Sequence, residues 1–331
     1  DNPFYKKNFI GLKNNWILHG GHNKSLAYNY YKENKKNNFQ KKILEIHNRP
    51  YLFNYLSKKI KNIPITLHFH NDPQKMKGSQ TLKEREFIAK TAAGIYFVSE
   101  FVKNKFLHGL KRKYNNMHVV YNSVERKHRS LPNKKKEVLF VGRLVPEKGA
   151  HIYVNVIKTI AKDFKNWKFI LVGSAKAGQE RPKTSYENKI IKEFNNIGNN
   201  VKYLGFLDNR KVNKKISDAS ILVIPSIWEE PLCLVAIEGL CHASAIICSN
   251  QGGLPEVIKN KGIKLKNINE ATLRKQLLNL LLNSKLLKKY QKKAWIKYEF
   301  NSSKITKKQD SIRSRIIKDF YSKNNQNNIK K

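Results

Sequence analysis

Cysteine is scarce in this chain, with three in 331 residues: Cys233, Cys241 and Cys248, all inside one short stretch. They show neither Cys-x-x-Cys spacing nor a companion histidine pair. That argues against a disulfide framework and against a metal site, and it suits a reducing compartment. Acidic residues are also few, 24 against 66 lysines and arginines, for a net charge of +42. There is no run of eighteen apolar residues to span a bilayer. The opening Asp1-Asn2-Pro3-Phe4-Tyr5-Lys6-Lys7 lacks the basic-then-apolar layout of a secretory signal. Because the chain starts at Asp rather than Met, an upstream piece is expected to be missing. Arginine is the last scarcity, at eleven of the 66 basic residues. The lysines are scattered with Asn and Ile along the whole chain, and Arg is the better fork for phosphates and bases. The charge therefore reads first as compositional bias, second as attraction to an anionic membrane or acceptor surface, and last as nucleic-acid binding.

What is present is enough to fold. Apolar residues make up 40% and aromatics 11% of the chain, which supports real cores, and at about 150 residues per domain the length suggests two of them. Short β-branched runs alternate with helical patterns, the signature of parallel βαβ units. In the first half the predicted strands are 43–47, 65–69, 94–98 and 117–121, with helices over 51–61, 81–91 and 100–107. A polar stretch from Glu125 to Lys136 reads as a linker. Beyond it come strands 138–141, 169–172, 201–204, 221–224 and 245–248, with helices over 149–163, 185–196, 209–218, 231–242 and 254–260. A lysine-rich helical region is predicted over 270–322, and a polar Asn324-Asn325-Gln326-Asn327-Asn328 tail too hydrophilic to pack. The fold class is thus α/β, with two Rossmann-like, doubly wound domains facing across a cleft and ligands at the carboxyl ends of the strands.

Two segments carry chemistry. In Phe140-Val141-Gly142-Arg143-Leu144-Val145-Pro146-Glu147-Lys148-Gly149 a strand runs into a glycine turn and a helix. Gly142 permits close approach of a ligand, and Arg143 and Lys148 are cations at a helix N-terminus, where they are disfavoured unless an anion joins them. A bound dianion would resolve that conflict; an ordinary solvated turn is the alternative. In the second segment, Pro231 fits the first helical position, with Glu230 at the cap and the amides of Leu232, Cys233 and Leu234 facing the strand's carboxyl end. On one helix, Glu230 and Glu238 would stand roughly 12 Å apart, too far for a glycosidase pair at about 5–9.5 Å but suited to two ends of one elongated ligand. A capping role for Glu230 and a structural hydrogen bond for Glu238 remain open on residues alone.

The ordered set Gly142-Arg143-Leu144, Glu147-Lys148-Gly149, Gly173, Tyr203-Leu204-Gly205, Pro225-Ser226, Glu230 with Glu238, and Gly252-Gly253-Leu254-Pro255-Glu256 resembles the donor-binding domain of glycosyltransferase family 4, whose members have the GT-B arrangement. The resemblance implies that Gly142 and Gly173 border a nucleotide-sugar whose diphosphate Arg143 and Lys148 hold. Glu238 would accept from the ribose hydroxyls and Glu230 from those of the transferred sugar, with Tyr203 and Leu204 beside the base. It further implies a retaining transfer through an oxocarbenium-like state with no metal and no cofactor beyond the co-substrate. Tyr121-Asn122-Ser123-Val124 resembles the turn that closes the first domain, and Phe300-Asn301-Ser302 the start of a terminal helix returning to it. The domains expected are 1–130 on the acceptor side, incomplete at its start, 131–300 for the donor, and 301–331 for the returning helix and tail.

The chain also departs from the family pattern. Leu232-Cys233 stands where Phe-Gly is usual, Ala243 and Ala245 replace a Gly and a Pro, and Gly20-Gly21 lacks the strand that should precede a glycine-rich loop. In the first half, Thr66-Leu67-His68 resembles the position whose His borders both sugars. His68 is therefore the catalytic candidate alongside Glu230, with His70 and Asp72 as further acceptor-side candidates. Arg49, in His47-Asn48-Arg49-Pro50, suits an anionic acceptor group. The expected activity is sugar transfer from a nucleotide-sugar donor to a cell-surface glycan or lipid-linked acceptor, as in lipopolysaccharide or capsule synthesis, by a cytoplasmic protein resting on the inner membrane face. Alternatives are glycogen-type or small-molecule transfer, and a non-catalytic basic protein binding nucleic acid on a transferase scaffold.

Overall fold

Four β-branched runs of the first half form strands β1 (Leu44–His47), β2 (Ile65–Phe69), β3 (Gly94–Phe97) and β4 (Met117–Val119), which pair in parallel in that order. This is a computed structural model, and it describes residues 32, 42–127, 129–176, 178 and 184–329, with side chains through 322. Gly20-Gly21 lies outside the described residues. The chain divides into unit 1, Asp1–Val120 with Thr306–Lys331, and unit 2, Tyr121–Ile305.

In unit 1, β2 is buried along its whole length, as expected of a parallel strand covered on both faces. Helices α1 (Pro50–Lys59), α2 (Leu82–Thr91) and α3 (Glu100–Leu107) connect the strands. Each starts for a local reason: Pro50 opens α1, Thr81 and Glu84 form a reciprocal capping box on α2, and the Ser99 hydroxyl accepts from Val102 N–H on α3.

Unit 2 holds β5 (Lys135–Val141), β6 (Lys168–Val172), β7 (Val201–Tyr203), β8 (Ala219–Ile224), β9 (Ala245–Ser249) and β10 (Ile263–Leu265), all parallel, in the order β10-β9-β8-β5-β6-β7. The sheet grows outward in both directions from the neighbours β5 and β8. That is the topological switch point of a doubly wound sheet, where the loops after the two strands diverge and leave a crevice. Helices α4 (Ala150–Ile160), α5 (Ser185–Asn195), α6 (Asn209–Asp218), α7 (Leu234–Cys241), α8 (Leu254–Ile258), α9 (Glu270–Leu282) and α10 (Ser284–Ile296) complete it. Its core joins strand residues Phe140, Phe169 and Val223 to Tyr153 and Ile157 of α4 and Leu277 of α9.

Several expectations change. Strand β5 begins at Lys135, inside the stretch read as linker. Strand β10 went unseen because Ile263-Lys264-Leu265 is short and half-exposed at the sheet edge. The helical region 270–322 divides into three helices: Asn283 ends α9 and caps α10 by accepting from Leu286 N–H, and after a break α11 spans Ser302–Ile329, so the backbone of the polar tail is helical as far as Ile329. The helix expected from Pro231 starts at Leu234, with Cys233 as its cap at φ 69°. The reason is local, since the Glu230 carbonyl accepts from Gly253 N–H at 2.6 Å and so turns to the neighbouring loop rather than to a helical turn.

Candidate functional site

At the carboxyl ends of the unit 2 strands the backbones are laced together. Gly142 N–H donates to Val172 O (3.1 Å), Leu144 N–H to Ser174 O (3.0 Å) and Gly173 N–H to Gly205 O (2.8 Å). The Tyr203 hydroxyl donates to Gly173 O at 3.0 Å. Gly173 has φ 136°, and a Cβ there would lie 1.8 Å from Gly142 O, so only glycine lets these two strand ends touch. The result is a pocket of about 270 Å³ lined by Gly142, Arg143, Gly173, Phe206, Leu234 and Glu238, among others. Burial pushes the Glu238 carboxyl up to about 7. Leu232 is buried and outside this lining.

Lys148 and Glu230 also lie outside that lining and form a cluster at the switch point. Lys148 ends a one-turn 3-10 helix, Pro146–Lys148, after β5, and Glu230 follows β8. The Lys148 ammonium donates to Glu230 Oε1 at 2.5 Å, and the Ser226 hydroxyl donates to the same oxygen at 2.6 Å. Glu230 is 5% exposed. The two loops are pinned by Ile227 N–H donating to Glu147 O (2.8 Å). They are also pinned by Gly149, φ 69°, whose added Cβ would meet Pro225 O at 2.0 Å. Glu230 thus supplies the negative charge that Lys148 needs, so no bound dianion is required to settle it there, and Glu230 caps no helix. Because Glu230 is not on α7, the helical spacing of roughly 12 Å to Glu238 does not apply. Cys233 has its thiol pushed up to about 12 by burial, with the Glu230 charge adding to it, which leaves it a poor nucleophile.

In unit 1 each strand contributes one ring to a single register row: His47 of β1, His68 of β2, Tyr96 of β3 and His118 of β4. Ring centroids are 4.2 Å apart from His47 to His68 and from His68 to Tyr96, and 5.6 Å from Tyr96 to His118. His70, one residue past β2, meets His47, with Nδ1 of His47 and Nε2 of His70 2.9 Å apart. The structure therefore brings both His68 and His70 against His47 but buries His68 between two rings, at 5% exposure. Asp72 caps the turn Pro73–Lys75 by accepting from Gln74 N–H at 2.9 Å, and Arg49, exposed, stands at the cap of α1.

Glu45 and Arg313 were missed from sequence. Arg313 donates to both Glu45 oxygens at 2.8 Å, and His68 Nε2 faces Glu45 Oε1 at 3.4 Å. Glu45 could have been noticed, being two residues before His47 on the same strand face, whereas Arg313 has no local signal. Glu45, His47 and His68 each bring one donor atom within 4.8 Å. Both carboxylate oxygens already serve Arg313, so the cluster is an internal ion pair rather than an open cage for a cation.

The doubly wound unit 2, with its strand-end pocket at the switch point, and the second parallel α/β unit define the class: a GT-B fold of two Rossmann-like units. It is similar to the crystal structure of HepE from Anabaena in complex with UDP, with a TM-score of 0.74 over 94% of this chain and 88% of that one at 16% identity. The family described as Glycosyl transferases group 1 matches residues 122–295, more than half of the chain, and the chain belongs to that family. Among curated relatives, it is 23% identical over 230 residues to the lipopolysaccharide 1,2-N-acetylglucosaminetransferase of Salmonella typhimurium, covering 65% of this chain and 56% of the relative. It is 31% identical over 196 residues to an uncharacterized glycosyltransferase of Methanocaldococcus jannaschii, covering 59% and 51%. The chain spans about half the length of these curated relatives. Among the described residues no helix is long and apolar enough to cross a membrane.

Proposed function

We propose that this protein is a retaining, nucleotide-sugar-dependent glycosyltransferase of the family 4 kind, building a cell-surface glycan or lipid-linked saccharide. The observation that carries the reading is the Lys148–Ser226–Glu230 cluster at the switch point of unit 2, beside the Glu238 pocket. An ammonium has three donors, so Lys148 can serve Glu230 and a phosphate oxygen together. With Arg143 it would stabilise the charge that develops on the diphosphate as the bond to the anomeric carbon breaks, which is the main catalytic term asked of this chain. Glu238 would accept from the ribose hydroxyls and Glu230 from a sugar hydroxyl, with Tyr203 and Leu204 toward the base. The lipopolysaccharide relative and the UDP complex support a uridine-linked donor and a glycan acceptor. No metal is assigned a role, because the two cations and the loop amides supply the positive field. The lysine-rich surface would hold the protein to an anionic cytoplasmic membrane face by salt-sensitive attraction.

The test is donor hydrolysis, and transfer to a lipopolysaccharide core oligosaccharide, across a panel of UDP-, GDP- and ADP-sugars, with the anomeric product read by NMR. Turnover of at least one donor with retention is expected, increased by anionic vesicles and not by neutral ones. If Lys148→Ala and Glu230→Ala leave turnover unchanged, or if only salt-steep binding to DNA is seen, the reading is wrong.

A further inference from the structure

The ring row of unit 1 is held from one side by the terminal helix. The part of α11 from Thr306 onward belongs to unit 1. Ile312 and Ile316 pack against Tyr96, Lys308 donates to Val119 O at 2.9 Å, and Tyr321 exchanges hydrogen bonds with the backbone of Lys42. Through Arg313 this helix grips Glu45 with a bidentate fork, the geometry that best fixes a carboxylate. Glu45 in turn lies under His68, a ring buried to 5% whose Nε2 has no partner in hydrogen-bond geometry. His68 is sandwiched, with His47 stacked on one face at an interplanar angle of 23° and Tyr96 on the other at 7°. Any tilt of His68 must therefore displace His47. His47 is exposed and its ring shares a hydrogen bond with that of His70, whose backbone N–H donates to Asn48 Oδ1 at 2.7 Å.

We propose that Arg313 and Glu45 are positioning residues for the acceptor: Arg313 fixes Glu45, the Glu45 carboxylate 3.4 Å from Nε2 sets the place of the His68 ring, and that ring, stacked on His47, holds the His47–His70 pair that meets the acceptor hydroxyl. This rests on the glycosyltransferase reading above, and it deepens that reading by naming the acceptor-contacting pair and its support. The 2.9 Å link has room for one hydrogen, so the pair stays functional only while it is not doubly protonated. The surrounding groups favour that state. Burial and the His68 and His70 neighbours hold His47 down at about 4, with Glu45 working against the shift and Arg313 with it. Burial and His68 lower His70 as well. Farther along the row, burial and then Arg315 and Lys308 of α11, with Lys103 of α3, lower His118, and burial raises Tyr96 to about 12.

The experiment follows the histidine ring nitrogens of the full chain by NMR against pH, together with kcat and KM for transfer to the core oligosaccharide. Arg313→Gln leaves the Glu45 charge uncompensated and should raise the His47 midpoint by about one pH unit, moving the acid limb of transfer with it and raising the acceptor KM more than the donor KM. Arg313→Lys should recover most of the shift, and Arg313→Gln with Glu45→Gln should return the midpoint toward wild type. A folded Arg313→Gln protein with an unmoved midpoint and unmoved acceptor KM overturns the proposal. So does loss of thermal stability alone. If the wild type turns over no donor while the midpoints still move, it is the glycosyltransferase reading that has failed and not the coupling.

Discussion

Lys148 and Ser226 both donate to one oxygen of Glu230, at 2.5 and 2.6 Å, and so tie the loop after β5 to the loop after β8. With Glu230 almost fully buried, removing either partner strands a charge or leaves a cation unanswered. Breaking such a pair from one side costs about 3 kcal/mol, whereas neutralising both sides recovers much of that. Lys148→Ala should therefore lower stability by about 3 kcal/mol and transfer by roughly a hundredfold or more. The double variant Lys148→Ala with Glu230→Gln should regain most of the stability in urea unfolding without regaining turnover. Equal stability of the single and double variants would remove the pair from the account.

If Glu238 holds the ribose as proposed, the donor step has its own pH dependence. The Glu238 carboxyl is raised by burial to about 7, and in the proposed role the ionised form would offer both oxygens to the ribose hydroxyls as acceptors alone, whereas the protonated form turns one of them into a donor. Donor KM is expected to fall as pH rises from 6 to 8, and Glu238→Gln to flatten that response while raising donor KM about tenfold. The stability effect runs the other way. The native carboxyl holds its proton more tightly than the unfolded one, so Glu238 costs stability progressively from about 4.5 to about 7. The Gln variant should accordingly melt higher than wild type at pH 8.

Cys233 and Ala243 are non-glycine residues in left-handed backbone, at φ 69° and 58°. Cys233 caps the start of α7, and Ala243 follows its end, where Ser244 N–H reaches back to Gly239 O at 2.9 Å. A side chain in this conformation costs about 1–2 kcal/mol, part of which glycine returns as unfolded-chain entropy. Cys233→Gly and Ala243→Gly should each raise stability by about 0.5–1 kcal/mol. Ala245→Gly, within β9 and outside the left-handed region, should lower it. Denaturant melts of the three variants check the sign.

The strands of unit 2 were legible because parallel strands buried on both faces read as unbroken apolar runs, as in Phe169–Val172 and Ile221–Ile224. Elements whose apolar content is interrupted were not. Ile263-Lys264-Leu265 carries a lysine in its middle, and Asn283 divides a lysine-rich helical stretch that local periodicity runs together. The start of α7 was misplaced because Pro231 is a good first helical residue in isolation. The competing hydrogen bond, from Gly253 N–H to Glu230 O, comes from a loop more than twenty residues away.

The class of the protein is written along the chain: alternating strand and helix periods, glycines where strand ends must touch, and two cations with two carboxylates in a fixed order around the strands of unit 2. These are local or short-range properties, set by side-chain shape and backbone freedom. Which of those charges meet is set by the folded arrangement of the strands and helices. Lys148 finds Glu230 because β5 and β8 are sheet neighbours although 77 residues intervene between Val141 and Ala219. Arg313 finds Glu45 because the terminal helix lies on the sheet of unit 1. Pairing of this kind depends on sheet order and helix docking, and no spacing along the chain encodes it.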